Sequence, residues 1–309
     1  MRSGFVAVAG RPNVGKSTLV NALAGTKVAI VSDKPQTTRR RIFGVATGDD
    51  WQLVLADLPG FQRPRDALTE RMQQTVDASF EEVDAVLFVL SARERIGAGD
   101  RFIASRVFAL GVPVVIALNK VDRLKPAHIA EQVAAAARLA AGPRGQKAGE
   151  RFKADHPDAD WIDNFHALHP VSAKTGDGVG ALRDELVGLL PEGPLYFPEE
   201  QRTDLTVETQ IAELIREKAL WLTRDEVPHA ISVEVEELED KVLRASILVE
   251  TDSQKQIVVG KGGSIVKEIG TRARPEIEAL LGHQVFLELK VKVKPKWRRD
   301  ASTLERLGL

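Results

Sequence analysis

Residues 5–17 read FVAVAGRPNVGKS, and this stretch decides how the first part of the chain folds. FVAVA (Phe5–Ala9) is a near-continuous apolar run, typical of a strand that is buried on both faces of a sheet. GRPNVGKS (Gly10–Ser17) follows at once and fits GxxxxGK[ST], the loop that joins such a strand to a helix and cradles phosphate. The backbone N–H groups of the loop and of the helix N-terminus favour bound phosphate oxygens. We expect Lys16 to contact the β- and γ-phosphates and the Ser17 hydroxyl to ligate Mg²⁺.

Further apolar runs extend this strand–loop–helix unit into a sheet. They are LVLA (Leu53–Ala56), AVLFVL (Ala85–Leu90) and VVIAL (Val114–Leu118). Segments with helical periodicity, such as Ser17–Leu23 and Asp66–Glu82, lie between them. The pattern predicts an α/β domain with a doubly wound, mainly parallel sheet that ends near Leu190.

A second motif, NKVD (Asn119–Asp122), selects the base. It follows a buried strand, where doubly wound sheets place their ligand loops. The Asp122 carboxylate can accept hydrogen bonds from N1–H and the 2-amino group of guanine, whereas adenine offers neither and would leave it unpaired. Polar pairing of this kind discriminates by about 10⁴–10⁵. We expect Asn119 and Lys120 to brace the loop and cover the base, and VSAK (Val171–Lys174) to present a backbone N–H to guanine O6.

Two further loops point to a switch that responds to the γ-phosphate. In DLPG (Asp57–Gly60) we expect Asp57 to hold Mg²⁺ through water and the Gly60 N–H to sense the γ-phosphate. QTTRRR (Gln36–Arg41) is a basic loop that could close over nucleotide, with Thr38 rather than Thr37 completing the Mg²⁺ shell. A solvated basic face is an equally weighted alternative for this run.

Hydrolysis is expected to be slow. Phe61 stands where Ras-like enzymes place a water-orienting glutamine, and a phenyl ring cannot orient water through a hydrogen bond. We hypothesise that the Asn13 amide, with carbonyls of the switch loop, holds K⁺ against the phosphates.

Composition places these motifs in a soluble, two-domain protein. The 309 residues are 43% hydrophobic and 28% charged, and they include no cysteine, which excludes disulfides and thiol catalysis. We find neither a secretory leader nor an apolar run of the roughly 20 residues that cross a bilayer, so we expect a cytoplasmic protein. The net charge of −1 hides a local cluster, because KVKVKPKWRR (Lys290–Arg299) carries six basic side chains and no acid.

The pattern changes after PEGPLYFPEEQRTD (Pro191–Asp204), which is typical of a linker. Beyond it we predict the order α-β-β-α-α-β, with one helix from about Ile265, another over Pro275–Leu281 and a last strand to Val293. The predicted division is a nucleotide-binding domain (1–190), a linker (191–205), a small α+β domain (206–295) and a basic C-terminal tail (296–309). The polar stretch 141–169 is expected to be an exposed excursion, and no function is assigned to it.

A second glycine-rich loop lies in VVGKGGSIVKEIG (Val258–Gly270). GKGGS lacks the spacer and ending of a nucleotide phosphate loop. In its element order, GxxG resembles a type II KH domain, whose GxxG turn clamps single-stranded RNA. Alternation puts the strand lysines on one face, although lysines that protect an edge strand are the alternative. The expected RNA-binding residues are Gly260, Lys261, Gly262, Gly263, Lys290, Lys292, Lys294, Lys296, Arg298 and Arg299.

The forms GRPNVGKS and QTTR, the order of the five nucleotide motifs and the KH-like domain together resemble the Era family of bacterial GTPases over nearly the whole chain. The resemblance implies a GTPase that converts GTP to GDP and phosphate. Its expected metal ligands are Ser17, Thr38 and Asp57 for Mg²⁺. Its expected GTP-binding residues are Gly10, Arg11, Pro12, Asn13, Val14, Gly15, Lys16, Ser17, Thr18, Asp57, Leu58, Pro59, Gly60, Asn119, Lys120, Asp122, Ser172, Ala173 and Lys174.

The resemblance also implies partners: the 3′ end region of 16S rRNA, and the small (30S) ribosomal subunit during its assembly. It implies a monomer with weak peripheral association with the inner face of the cell membrane. The chain departs from the family pattern at Leu58, where threonine is usual, and in the length between NKVD and VSAK. Two other functions stay open here: a P-loop phosphotransferase acting on a small acceptor, and an RNA-binding module whose nucleotide site is structural.

Overall fold

The computed structural model describes residues 1–34, 36–60, 65–80, 82–142 and 164–309, and their contacts form two compact units. The first unit contains the described residues of Met1–Ala29, Arg41–Gln62 and Gln74–Asp204. The second contains those of Ile30–Arg40, Arg63–Gln73 and Leu205–Leu309. The expectations for Phe61, and for the part of the polar stretch at 143–163, lie outside the described residues.

The first unit is built on a six-stranded sheet of order β2-β3-β1-β4-β5-β6. Its strands are β1 (Arg2–Ala9), β2 (Ile42–Thr47), β3 (Trp51–Asp57), β4 (Ala85–Ser91), β5 (Val114–Asn119) and β6 (Phe165–Pro170). Its helices include α1 (Lys16–Ala24), α3 (Ala98–Phe108), α4 (Pro126–Ala140) and α5 (Val179–Leu189). Helix α2 (Ala67–Ser79) is divided, because its residues up to Gln73 belong to the second unit and the rest to the first. Within this sheet, β2 alone among the described strands runs antiparallel to its neighbour, so the mainly parallel α/β sheet predicted from the apolar runs is confirmed.

Burial explains why the strands formed where the apolar runs lie. Every residue of β4 and β5 is buried, because helices cover both faces of a parallel sheet. A strand was expected before VSAK but was given no bounds, and most of β6 lies in the stretch 141–169 that was expected to be an exposed excursion. Phe165 and Leu168 pack against the core, but the register shifts beside Phe165 and two histidines interrupt the apolar pattern. A polar edge strand of this kind lacks the periodicity that sequence reasoning uses.

Residues 191–204 lie along the first unit. The Ser3 N–H donates to Pro191 O over 3.0 Å, and the Val45 N–H donates to Arg202 O over 2.8 Å. The rings of Phe5 and Tyr196 meet edge to face, with centroids 4.7 Å apart. This segment is therefore held by hydrogen bonds and ring contacts at several points, although its prolines and acids are typical of a linker.

The second unit has a three-stranded sheet of order β7-β8-β9. Its strands are β7 (Ser232–Leu238), β8 (Val242–Val249) and β9 (Phe286–Val293). Its helices are α6 (Val207–Leu222), α7 (Val227–Ala230), α8 (Asp252–Val259), α9 (Ser264–Leu281) and α10 (Ala301–Arg306). Strands β7 and β8 are antiparallel and β8 and β9 are parallel. Apart from the short α7 and the C-terminal α10, the elements follow the predicted α-β-β-α-α-β order, but the first helix after β8 is α8, for which no bounds were predicted.

One helix assignment in this unit was wrong. We predicted separate helices from about Ile265 and over Pro275–Leu281, but α9 is continuous from Ser264 to Leu281 with Pro275 inside it. Ile269, Ala273 and Ile277 follow at intervals of four and are all completely buried. This continuous apolar face packs into the core on both sides of Pro275, which offsets the hydrogen bond that proline removes.

The end of the chain folds against the second unit. Trp297 is completely buried and donates its indole N–H to Ala230 O over 2.8 Å. It shares a core cluster with Leu248 and with Leu304 of α10. Among the described residues, no helix is both long enough and apolar enough to cross a membrane.

Candidate nucleotide and RNA sites

The phosphate loop has the backbone geometry that its glycines require. Gly15 has φ +101° and is the N-cap of α1. A Cβ at this position would lie 2.4 Å from Nδ2 of Asn119, so no other residue fits without moving the base-binding loop. Because the N-cap carries no side chain, the first N–H groups of α1 face the loop and are suited to bind an anion.

Lys16 is held inside this loop. Its Nζ donates to the carbonyl oxygens of Gly10 and Arg11, each over 3.1 Å. Burial lowers the pKa of Lys16 to about 8, and the negative charge of Asp57 offsets part of this effect. Because burial removes water from the Lys16 ammonium, binding to phosphate oxygens should stabilise its charge strongly.

Ser17 and Asp57 come together as predicted for magnesium ligands. The Ser17 hydroxyl donates to a carboxylate oxygen of Asp57 over 2.6 Å, and Asp57 is completely buried at the end of β3. A hydroxyl beside a carboxylate supplies the hard oxygen donors that Mg²⁺ prefers, so the residues fit the ion. Thr38 is also buried, but it lies in the segment Ile30–Arg40 of the second unit, and its role as a third ligand stays a prediction.

Asn119 joins three loops at the predicted guanine site. Its side-chain N–H donates to Val14 O over 3.0 Å, and its oxygen accepts the N–H groups of Lys120 over 2.8 Å and Ala173 over 3.0 Å. The Lys120 ammonium also donates to the backbone oxygen of Asn13. The expected bracing role is therefore visible in the contacts of these side chains.

Asp122 is aligned by the VSAK loop. One of its carboxylate oxygens accepts the Ser172 hydroxyl over 2.9 Å, and the other lies 3.7 Å from Arg123 Nε. Lys174, two residues after Ser172, is exposed. Ser172 thus orients the carboxylate that we expect to recognise guanine. Sequence reasoning assigned VSAK only a backbone role and missed this side-chain contact.

The DLPG loop divides between packing and site. Leu58 is 1% exposed and belongs to the sheet core with Ala56 and Phe88, so only its backbone can face nucleotide. Gly60 lies against the phosphate loop, where an added Cβ would be 3.0 Å from Pro12 Cγ. The leucine in place of the family's threonine thus acts in packing, while Gly60 is placed beside the loop that would hold the phosphates.

The basic segment Ile30–Arg40 is held by the second unit. Glu217 accepts the Val31 N–H over 2.9 Å, and the Trp221 indole donates to Val31 O over 3.0 Å. Arg39 is 4% exposed and donates to Ile231 O over 2.6 Å and to His229 O over 3.0 Å. The alternative of a solvated basic face is therefore wrong for Arg39.

The GxxG loop forms a tight turn between α8 and α9. Gly260 has φ +74°, and a Cβ there would lie 2.9 Å from the backbone nitrogen of Ile265. Beside it opens a cavity of about 510 Å³, lined by one face of α8 and the first half of the turn. Sequence reasoning missed Lys255 and Gln256 on this face. Their spacing with Asp252 and Val259, at intervals of three and four, is the helical signal that could have found them.

The predicted basic stripe is partly neutralised. Lys290 lies 3.0 Å from Glu288, and Lys292 pairs with Glu236. Arg298 pairs with Glu250 over 2.7 Å. Lys261 and Lys255, both exposed beside the cavity, have no ion pair among the described residues. We therefore expect the turn and α8 to attract a phosphate backbone more strongly than the β9 lysines.

Comparison with known proteins agrees with this division. A family model described as "50S ribosome-binding GTPase" matches residues 5–120, and a KH domain model matches residues 226–298. GTPase Era of Nocardioides sp. (strain ATCC BAA-499 / JS614) is 46% identical, over 99% of this chain and 96% of its own length. GTPase Era of Thermotoga maritima is 42% identical, over 100% and 98%.

Two solved structures resemble the whole chain. One is Era in complex with MgGDPNP and nucleotides 1506–1542 of 16S ribosomal RNA, with a TM-score of 0.87, 36% identity, and coverage of 100% of this chain and 99% of that chain. The other is a variant of Aquifex aeolicus Era bound to GDP·AlF4⁻, with a TM-score of 0.86, the same identity and the same coverage. With its phosphate loop, guanine-binding loops and GxxG turn, the chain belongs to the Era family of GTPases.

Proposed function

We propose that this protein is a GTP-hydrolysing switch that binds the 3′ end region of 16S rRNA and acts in assembly of the small ribosomal subunit. One observation carries the proposal. The chain matches, over its full length, an Era structure solved with both MgGDPNP and a 16S rRNA segment. The same chain has a carboxylate suited to guanine, that of Asp122, in its first unit and a GxxG turn in its second, and both features support the proposal.

The nucleotide site binds guanine through Asp122 and phosphate through the loop Gly10–Ser17. Ser172 holds the Asp122 carboxylate, and Asn119 ties the base-binding loops to the phosphate loop. Base recognition and phosphate binding therefore support each other, because each needs the same hydrogen bonds in place. Lys16 then stabilises charge on the β- and γ-phosphates.

Ser17 and, through water, Asp57 would hold Mg²⁺, with Thr38 as the further ligand that the resemblance implies. When bound, the ion neutralises charge on the β- and γ-phosphates. K⁺ bound by the Asn13 amide would add positive charge at the same phosphates. Equal hydrolysis rates in Na⁺ and K⁺ buffers would contradict that addition.

RNA binds at the GxxG turn. Gly260 and Gly263 let a phosphodiester approach the backbone closely, and Lys261 supplies charge. The adjoining cavity offers room for unstacked bases against the Val259 side of α8. The lysines of β9 contribute a second, weaker positive surface, because acidic neighbours already hold several of them.

We place the coupling between the two ligands in the segment Ile30–Arg40. Val31 of this segment bonds to Glu217 and Trp221, and Arg39 bonds to Ile231 O. If GTP draws the segment over the nucleotide, these contacts must change. The linker (191–205) is the other possible route, but this segment is the more direct one because it contacts α6 and α7 itself. A variant that removes the Arg39 guanidinium should therefore change how GTP alters RNA affinity.

Two other functions make different predictions. A phosphotransferase would move the γ-phosphate of GTP to a small acceptor instead of water, although the Asp122 site and the GxxG turn give it little support. An RNA-binding module with a structural nucleotide would not turn over GTP. Association with the inner face of the cell membrane stays a prediction from the resemblance alone, and flotation with anionic vesicles would test it.

The deciding experiment measures both ligands on the purified protein. We expect hydrolysis of GTP but not ATP, faster with small ribosomal subunits present. We also expect specific binding of an oligonucleotide from the 3′ end of 16S rRNA over a scrambled control at matched salt. Preference for ATP, or equal binding of the two oligonucleotides, would overturn the proposal. Cytoplasmic, monomeric protein is expected throughout, and sedimentation measures the oligomeric state.

A further inference from the structure

The side chain of Arg11, the second residue of the phosphate loop, is bound by residues at the start of helix α3. Its Nε donates to an oxygen of Asp100 over 2.8 Å, and a terminal nitrogen donates to Glu94 over 2.8 Å. Asp100 is 2% exposed, whereas Glu94 is about half exposed. The contact to Asp100 is therefore a charged hydrogen bond largely removed from water, which is much stronger than a surface ion pair.

Asp100 and Gly99 fit the Arg11 side chain closely. The second carboxylate oxygen of Asp100 accepts the Gly97 N–H over 2.9 Å, so the side chain caps α3 and binds Arg11 at once. Gly99 leaves space for the arginine stem, since a Cβ there would be 2.8 Å from Arg11 Cδ. Three features of RERIGAGD (Arg93–Asp100), none of them part of a nucleotide motif, thus converge on one residue of the loop.

The backbone of Arg11 contacts the lysine that we expect to bind the phosphates. Its carbonyl oxygen, with that of Gly10, accepts the Lys16 ammonium. The next residue, Pro12, lies against Gly60 of the DLPG loop. Burial lowers the pKa of Arg11, but the hydrogen bonds and charges of Asp100 and Glu94 outweigh it and raise the pKa overall. The guanidinium thus stays charged and fixed while its backbone orients Lys16.

We propose that Asp100 is a positioning residue for GTP hydrolysis, which holds Arg11 so that the phosphate loop is set before nucleotide arrives. The inference rests on the proposed GTPase function. Asp100 belongs to none of the nucleotide motifs, and its hydrogen bonds go to Arg11 and the Gly97 N–H. It acts through the Arg11 side chain and the carbonyl that Arg11 offers to Lys16.

The test is a double-mutant cycle on the full-length protein. Asp100→Asn keeps an oxygen for the Gly97 N–H and removes the charged acceptor of Arg11. Arg11→Met keeps the stem over Gly99 and removes the guanidinium. Because small displacements of positioned groups cost up to about 100-fold in rate, we expect each change to lower kcat by about 10-fold or more. The double variant should be no slower than the slower single variant, since either change breaks the same link.

Three further measurements separate positioning from folding. Arg11→Lys should restore part of kcat, because an ammonium can still reach Asp100 while losing the fork to Glu94. The pair Asp77→Asn and Arg106→Met is the control, since it removes an exposed ion pair of 3.0 Å between α2 and Arg106 of α3 and should leave kcat unchanged. Thermal midpoints of all variants identify any that are unfolded at the assay temperature.

The outcomes decide clearly. Unchanged kcat in folded Asp100→Asn or Arg11→Met, or independent effects that multiply in the double variant, would overturn the positioning role and leave the GTPase intact. A wild-type protein that binds guanine nucleotide but never hydrolyses GTP would instead overturn the proposed function, and this inference with it.

Discussion

Removal of the Asn119 side chain tests whether the guanine site depends on one buried amide. Asn119 is 2% exposed and makes three hydrogen bonds, to Val14 O, the Lys120 N–H and the Ala173 N–H. In Asn119→Ala the three loops lose their common partner and must be ordered again when nucleotide binds. We therefore expect much weaker binding of GDP and GTP.

The magnitude follows from the contacts. A net value of about 1 kcal/mol for each hydrogen bond gives about 3 kcal/mol for the three. Since about 1.4 kcal/mol corresponds to a tenfold change in affinity, GDP should bind about 100-fold more weakly. Asn119→Asp keeps the oxygen that accepts two N–H groups and loses only the donor to Val14. It should fall between the wild type and Asn119→Ala unless its new charge repels the carbonyl.

The assay is titration of a fluorescent GDP analogue, with thermal unfolding measured in parallel. Asn164→Ala is the matched control, because among the described residues Asn164 donates one hydrogen bond, of 2.9 Å to Phe108 O, and none to a nucleotide loop. It should lower stability slightly and leave GDP affinity unchanged. If Asn119→Ala lost stability but bound GDP within about threefold of the wild type, the idea that one amide organises the three loops would be refuted.

Three other changes test separate parts of the structure. Gly263→Asp puts a carboxylate into open space on the GxxG turn at φ +80°, so RNA affinity in filter binding should fall at least about tenfold with GTP hydrolysis unchanged; Gly282→Asp, also in open space at φ +76°, should alter neither. Binding of GDP near pH 8.5 should take up protons, because burial lowers the pKa of Lys16 to about 8 in the free protein and phosphate raises it again. Calorimetry in buffers of different ionisation enthalpy measures this uptake, and Lys16→Met should abolish it. The pKa of Lys16 is about 8 in the folded protein, against an ordinary value of 10.5 in the unfolded chain. The buried charge therefore destabilises the fold below pH 8, and this cost disappears as the pH rises from about 8 to 10.5. Trp297→Ala should cost about 3–5 kcal/mol of unfolding free energy in denaturant titrations, whereas Trp221→Ala, which removes a half-exposed ring, should cost far less.

Sequence reasoning succeeded where a physical period or a fixed spacing carried the signal. The buried strands β4 and β5 are continuous apolar runs, and GxxxxGK[ST] needs a strand before it and a helix after it. The GxxG turn was found from the order of elements around it. These features depend on neighbours along the chain, so they can be read before any tertiary contact is known.

It failed where distant contacts overrode local pattern. Among the described strands, β6 pairs with β5 alone and lies at the sheet edge. Its two histidines interrupt the apolar residues, so it lacks the hydrophobic pattern of a buried strand. Helix α9 continues through Pro275 because its buried face packs on both sides of the proline. Arg39 stands in a run of arginines that looks solvated, yet carbonyl groups of α7 and the residue after it surround its guanidinium.

The amino-acid sequence alone determined the positions of the phosphate loop, of the carboxylate predicted to select guanine and of the turn predicted to bind RNA, because each needs particular residues at particular intervals. Only the tertiary structure decided how their supports are arranged. Asp100 meets Arg11 across 89 positions of sequence, and Glu217 meets Val31 across 186. Such pairs form because folding brings together buried charges that must find a partner, and no local periodicity records which partner they find.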